Sequence, residues 1–194
     1  YSAVIRAHED AVNSIAFDPQ GRWLASGSQD GTLKLWPLDV DGEVKVFGRD
    51  LGEVPGGHFR GLAVSPDGTQ LLVATDFEGV KTLTLDWPDD YVAGGLQGFG
   101  TDVIDVAISP DGRLAAGASR GWSDPADRVV RVWSLESLEE VAVLGRDEPN
   151  RGSFLAFTAS GRLLSATESG LTMWDLDSGT SELLYAGEVY RFAA

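Results

Sequence analysis

One phrase recurs four times along the chain. SIAFDPQGRWLAS (14–26), GLAVSPDGTQLLV (61–73), DVAISPDGRLAAG (105–117) and FLAFTASGRLLSA (154–166) each run apolar alternation into a Pro-x-Gly or Ala-x-Gly turn and back into alternation. A period of two with a short turn between two such runs makes a β-hairpin. The turn residues Pro19, Pro66, Pro110 and Ala159 recur at intervals of about 44 to 49 residues, the size of a four-stranded unit rather than a helical pair. A third strand follows each hairpin, at TLKLW (32–36), KTLTL (81–85), VVRVW (129–133) and LTMW (171–174). A fourth follows at EVKVF (43–47), YVAGGL (91–96), EVAVL and SELLY (181–185), and no stretch has sustained helical periodicity.

Four-stranded antiparallel units repeated at this spacing bury one another face to face, so the fold class is all-β and the units read as blades of a β-propeller. The chain is expected to be one propeller segment over 1–194, a partial ring of about four blades, with repeats near 7–47, 57–96, 99–144 and 152–185. SAVIR (2–6) reads as the outer strand of a preceding blade, so 1–6 is assigned to it. Residues 188–194 read as the start of a following one, because Val189, Phe192 and Ala193 parallel Val12, Ile15 and Ala16.

Composition narrows the partners. A formal net charge of −15 repels nucleic acid and anionic membranes before short-range contact forms, which leaves basic proteins or peptides. With no cysteine there is no disulfide framework and no thiolate metal site, and His8 and His58 are the two histidines. No apolar run reaches the roughly 18 residues of a membrane span, and the N-terminus lacks a signal-peptide pattern.

The repeats resemble the WD-repeat propellers, whose signature is a Gly-His pair before the first strand and a Trp-Asp pair ending the third. The first repeat, AHEDAVNSIAFDPQGRWLASGSQDGTLKLWPL, follows it almost throughout, with Ala7-His8 and Trp36-Pro37 at the two pairs. The fourth keeps Trp174-Asp175, the third has Trp133-Ser134, and the second is read with Thr84 in the tryptophan's place. The resemblance implies a buried hydrogen-bonded chain through His8, Ser26, Asp30 and Trp36 that fixes strand register. His8, Ser26 and Asp30 are also the residue types of an acyl-transfer triad, but Ser26 lies mid-strand with no strained nucleophile turn beside it. The other repeats lack the full set: Phe99 stands near the histidine position of the third, and Arg49 and Arg146 follow glycine where histidine is expected. These blades are expected to rely more on apolar packing.

The resemblance also implies rings that close with about seven blades. An open arc of four leaves two apolar edges exposed. Further blades are therefore expected as partners, from the same polypeptide, the favoured source, or from a second copy completing an eight-bladed ring.

Weaker local features carry less. DVDGE (39–43) lacks the third acidic residue and distant Glu of a calcium loop and reads as a hairpin turn, and His58 in PGGHFRG (55–61) has no neighbouring ligand. Neither calls for a metal, and no cofactor is expected. SRGWSDPADR (119–128) is an insertion between the second and third strands of the third repeat, and its Arg120, Trp122 and Asp124 are candidate partner contacts. Gly-Arg-Asp recurs in the loops 48–57 and 145–152, where Arg49 and Arg146 either pair internally with aspartate or contact a partner.

Two functions follow. The first is a protein-interaction scaffold or sensor module, non-enzymatic and cytoplasmic, in a larger signalling protein of bacterial type. The alternative is a propeller hydrolase or lactonase with a carboxylate-held metal in the central channel; the first strands, which carry mostly Ala, Val, Ile, Leu and Phe, argue against it.

Overall fold

The structure is a computed structural model and describes residues 8–38, 45–47, 58–86, 90–99, 102–121, 125–145, 154–167, 170–187 and 189. The first sheet contains β1 (Val12–Phe17), β2 (Trp23–Ser28), β3 (Leu33–Pro37) and β4 (Lys45–Phe47). The second contains β5 (Phe59–Val64), β6 (Gln70–Thr75), β7 (Val80–Asp86) and β8 (Asp90–Leu96). The third contains β9 (Val103–Ile108), β10 (Leu114–Ser119), β11 (Val130–Ser134) and β12 (Glu140–Leu144), and the fourth β13 (Phe154–Phe157), β14 (Leu163–Ala166), β15 (Gly170–Asp175) and β16 (Thr180–Ala186). Each sheet is an antiparallel meander in chain order, the arrangement of a propeller blade.

The Pro-x-Gly phrases close the first hairpins for a local reason. Gly21, Gly68, Gly112 and Gly161 hold φ between 69° and 82°, a left-handed conformation that glycine adopts without a Cβ penalty. The same glycines close the turn, with the Gly21 N–H donating to the Asp18 carbonyl at 2.8 Å and equivalently in the other blades. Asp18 adds a bidentate pair with Arg22, whose Nη2 also donates to the Gly68 carbonyl at 3.2 Å and ties the first turn to the second.

Alternation along each strand divides every blade into two apolar faces, and the faces stack. Trp23, Ala25, Leu33 and Leu35 of the first blade pack on Phe59, Leu62, Leu71, Val73 and Leu83 of the second. Leu72, Ala74 and Val80 of the second pack on Val103, Val106 and Trp133 of the third. Ala116, Ala118 and Val132 of the third pack on Leu155, Leu163 and Trp174 of the fourth. The core is thus three layers between blades, not one central cluster.

First strands lie side by side in the series β1, β5, β9 and β13. Asn13 Nδ2 donates to the Phe59 carbonyl at 2.9 Å, and the Leu155 N–H donates to Asp105 Oδ2 at 2.7 Å, so side chains bridge backbones that belong to different sheets. The approach is closest at Gly61, where a Cβ would stand 2.8 Å from the Cα of Asp105. Gly61→Ala should therefore push β5 off β9 and lower stability by about 1–3 kcal/mol in urea unfolding. An unchanged midpoint would mean that the strands slide apart freely.

Candidate functional site

In these meanders the second-to-third strand turns and the approaches to each first strand lie at the same end of the sheets, called here the upper end. His8, Ser26, Asp30 and Trp36 meet there. Trp36 Nε1–H donates to Ser26 Oγ at 2.9 Å, and Ser26 Oγ lies 2.7 Å from His8 Nε2. His8 Nδ1 lies 3.1 Å from Asp30 Oδ2 and 2.8 Å from Thr32 Oγ1. A carboxylate only accepts, so with the Nδ1 proton directed at Asp30 the Ser26 hydroxyl donates to Nε2. The series then runs indole to hydroxyl to imidazole to carboxylate. Ser26 receives a donor from one side and points at the imidazole on the other, so it is held as a structural relay between strands.

Asp30 anchors the end of that series. Burial pushes its carboxyl up, but it is outweighed by the Thr32 hydroxyl, the Glu9 and Thr32 backbone N–H groups and His8, which bring the pKa down to about 2. The distances are 2.6 Å to Thr32 Oγ1, 2.9 Å to Glu9 N and 2.8 Å to Thr32 N. Thr32 was not singled out in the sequence, although its place two residues after an aspartate in a turn is the signal of an Asx-type bond.

The second blade solves the same end differently. Strand pairing places Leu71 opposite Leu83 as it places Leu24 opposite Trp36, so Leu83 and not Thr84 holds the tryptophan's place. The two second-to-third strand turns close over the same span, from Ser28 N–H to the Thr32 carbonyl and from Thr75 N–H to that of Gly79, so Gly79 sits where Thr32 does. Leu83 is fully buried, and a charged group takes over at the rim. Arg60 grips Asp76 through Nε at 2.6 Å and Nη2 at 3.0 Å, and His58 Nδ1 lies 3.1 Å from the same carboxylate.

Elsewhere at this end Lys81 pairs with Glu78 at 2.9 Å and Arg131 lies 3.5 Å from Asp127. Glu9 and Asp10 are exposed, and no cation among the described residues pairs with either. Of the candidate contacts, Arg120 is half-buried just after β10, and the insertion that follows carries a 3₁₀ turn at Pro125–Asp127. Trp122, Asp124, Arg49 and Arg146 lie outside the described residues, as do 1–7 and most of 188–194. Among the described residues no group of three His, Asp or Glu side chains could hold a metal ion, and no helix is long and apolar enough to cross a membrane.

Comparison with known proteins shows what the blades are similar to. The profile described as "WD domain, G-beta repeat" matches residues 1–37 and 92–134. In those two stretches the chain is similar to WD repeats. The chain is 25% identical over 93% of its length to the WD repeat-containing protein 26 homolog of Arabidopsis thaliana, covering 29% of that protein. It is 27% identical over 90% of its length to the guanine nucleotide-binding protein subunit beta of Zea mays, covering 47% of it. A stretch of 41% of the chain is 42% identical to the ribosome biogenesis protein BOP1 of Mus musculus, over 10% of that protein. The chain spans less than half the length of each of these relatives.

Set against the first blade, the third and fourth depart from it in ways that compensate. In the third, Gly117 takes the place of Ser26, and Phe99 fills the histidine's place edge-on to Trp133, with ring centroids 5.8 Å apart. The Trp133 Nε1–H turns to the Gln97 carbonyl at 2.8 Å. A Cβ on Gly117 would lie 3.2 Å from both rings, so glycine and phenylalanine go together. In the fourth, Trp174 Nε1–H donates to Ser165 Oγ at 2.8 Å, the bond Trp36 makes to Ser26. Sequence matching hid Ser165 because the fourth turn closes one residue earlier, from Thr158 N–H to the Arg162 carbonyl, whereas the first closes from Asp18 N–H to that of Trp23.

Proposed function

We propose that this WD-repeat chain is a protein-interaction scaffold whose upper end receives a partner with a basic surface. The observation that carries this reading is charge accounting at that end. Arg60, His58 and Lys81 are already engaged by Asp76 and Glu78, while Glu9 and Asp10 stand exposed with no cation beside them among the described residues. The described residues of that end therefore offer unpaired negative charge at the rim, within a chain of formal net charge −15. The names of its relatives, in ribosome biogenesis and guanine nucleotide binding, describe no enzyme and agree with a scaffold. Arg120, Trp122 and Asp124 in the inserted loop, with Arg49 and Arg146, are the contacts proposed to confer selectivity on top of this charge. A cytoplasmic place within a bacterial-type signalling protein is the setting proposed for it.

The test uses a panel of basic and acidic peptides against the immobilised chain. Basic peptides should bind with an affinity that falls as salt rises. Glu9→Lys with Asp10→Lys should weaken them by about tenfold or more while leaving the melting temperature near that of the parent, as expected of exposed side chains. Equal binding of acidic peptides, or indifference to the double substitution, would overturn the reading.

A further inference from the structure

The second-to-third strand turns of the first two blades have equal span, and one position in them changes character. Ser28 pairs with Val12 and Thr75 with Phe59, so the turns are in register, and Asp30 in the first corresponds to Phe77 in the second. Asp30 is turned inward, to His8 and Thr32. Phe77 is turned out. It is 51% exposed and belongs to none of the three apolar layers, and among the described residues no other ring and no cation stacks on it.

The backbone on either side of Phe77 is fixed. Asp76 is gripped by Arg60, its N–H donates to the His58 carbonyl at 3.3 Å, and its carbonyl accepts from the Asp102 N–H at 2.8 Å. Thr75 Oγ1 accepts from the Glu78 N–H and donates to the Gly79 carbonyl, both at 3.0 Å, and Glu78 pairs with Lys81. A phenyl group with two side-chain torsions on a pinned backbone loses little freedom when a partner covers it, which is what an interface anchor requires.

We propose that Phe77 is the apolar anchor of the upper end, and that the partner segment bound there carries a bulky aliphatic or aromatic side chain among its lysines and arginines. The surroundings select an apolar side chain over a cation for this spot. Asp76 and Glu78, the carboxylates flanking Phe77, are already held by Arg60, His58 and Lys81, so a further cation above the ring would meet positive charge in place. The cations of the same segment are left to Glu9 and Asp10 on the first blade, with which no described cation pairs. Recognition is thus divided, with charge on the first blade and apolar contact on the second. This rests on the reading of the upper end as a site for a basic partner, and adds the feature that separates one basic segment from another.

The test is fluorescence anisotropy with labelled nonapeptides of three lysines and one leucine in alanine, the leucine moved through the sequence, against leucine-free counterparts of the same charge. In at least one arrangement the leucine peptide should bind about tenfold or more tighter than its counterpart. Phe77→Ala should abolish that difference and leave the salt dependence of both peptides unchanged, while Phe77→Leu should keep most of it. Glu9→Lys with Asp10→Lys should weaken both peptides while the difference persists. Phe77→Ala should melt near the parent's temperature, as expected of a side chain outside the apolar layers. Lysine peptides that bind equally with and without leucine, a leucine gain that survives Phe77→Ala, or a Phe77→Ala variant that melts well below the parent would each overturn the anchor while the charge reading stands. Failure of every lysine peptide to bind would overturn the charge reading, and the anchor with it.

Discussion

Trp133→Ala should lower the free energy of unfolding by about 3–5 kcal/mol, a loss on the scale set by emptying a large aromatic from a core. Trp133 is fully buried, it stacks edge-on with Phe99, and it belongs to the layer that joins the second blade to the third. Truncation removes its packing and leaves the Gln97 carbonyl without the indole N–H it accepts at 2.8 Å. Domains of this kind are stable by only about 5–15 kcal/mol, so one such loss brings the chain near its threshold. Trp133→Phe separates the two contributions. It keeps an aromatic against Phe99 and gives up the hydrogen bond, so the expected cost is smaller, about 1–3 kcal/mol. Equilibrium urea unfolding of both variants gives the comparison. If alanine and phenylalanine cost the same, packing between the blades is not what Trp133 supplies.

The second large effect is in acid. The folded chain holds Asp30 at a pKa of about 2, below the ordinary 3.8, because the Thr32 hydroxyl, two backbone N–H groups and His8 favour the carboxylate more than burial opposes it. A group depressed in the folded state contributes stability that is complete above its unfolded pKa and disappears as pH falls through its folded one. The window therefore runs from about pH 5 down to about pH 2, and the contribution is on the order of 2 kcal/mol. Asp18, with its bidentate Arg22, and Asp67 and Asp111, each bonded to a turn serine and a backbone N–H, are also depressed and steepen the same limb. Asp30→Asn isolates one share of it. The parent should exceed the variant in stability at pH 7, and the gap should shrink steadily as the pH falls from 5 to 2. A gap that stays constant would show that the Asp30 charge is not what is lost.

Much of the architecture was legible because it is local. The turn chemistry of Pro19–Gly21 and its repeats depends on φ at a single glycine, and alternation along β2 or β10 states which side chains share a face. Part of the upper end was legible too, through the resemblance to WD repeats: it pointed to His8, Ser26, Asp30 and Trp36, and these stand within hydrogen-bond distance of one another in series. What misled were positions one residue off. Thr84 was read in the tryptophan's place when the register puts Leu83 there, and a shorter fourth turn concealed Ser165 beside Trp174. In a strand a shift of one residue exchanges the faces, so only the pairing register decides which side chain reaches the neighbouring blade.

The sequence by itself determined the number of repeated units, their strands, and the acidic balance of the chain, since each depends on neighbours along the chain or on simple sums. Only the tertiary structure decided which faces are covered. Val12, Ile15 and Phe17 read in sequence like Phe59, Leu62 and Val64, yet the first set is open and two of the second set lie at a covered junction. Burial belongs to the pair of surfaces and not to the strand, because apolar side chains leave water only where a second sheet meets them.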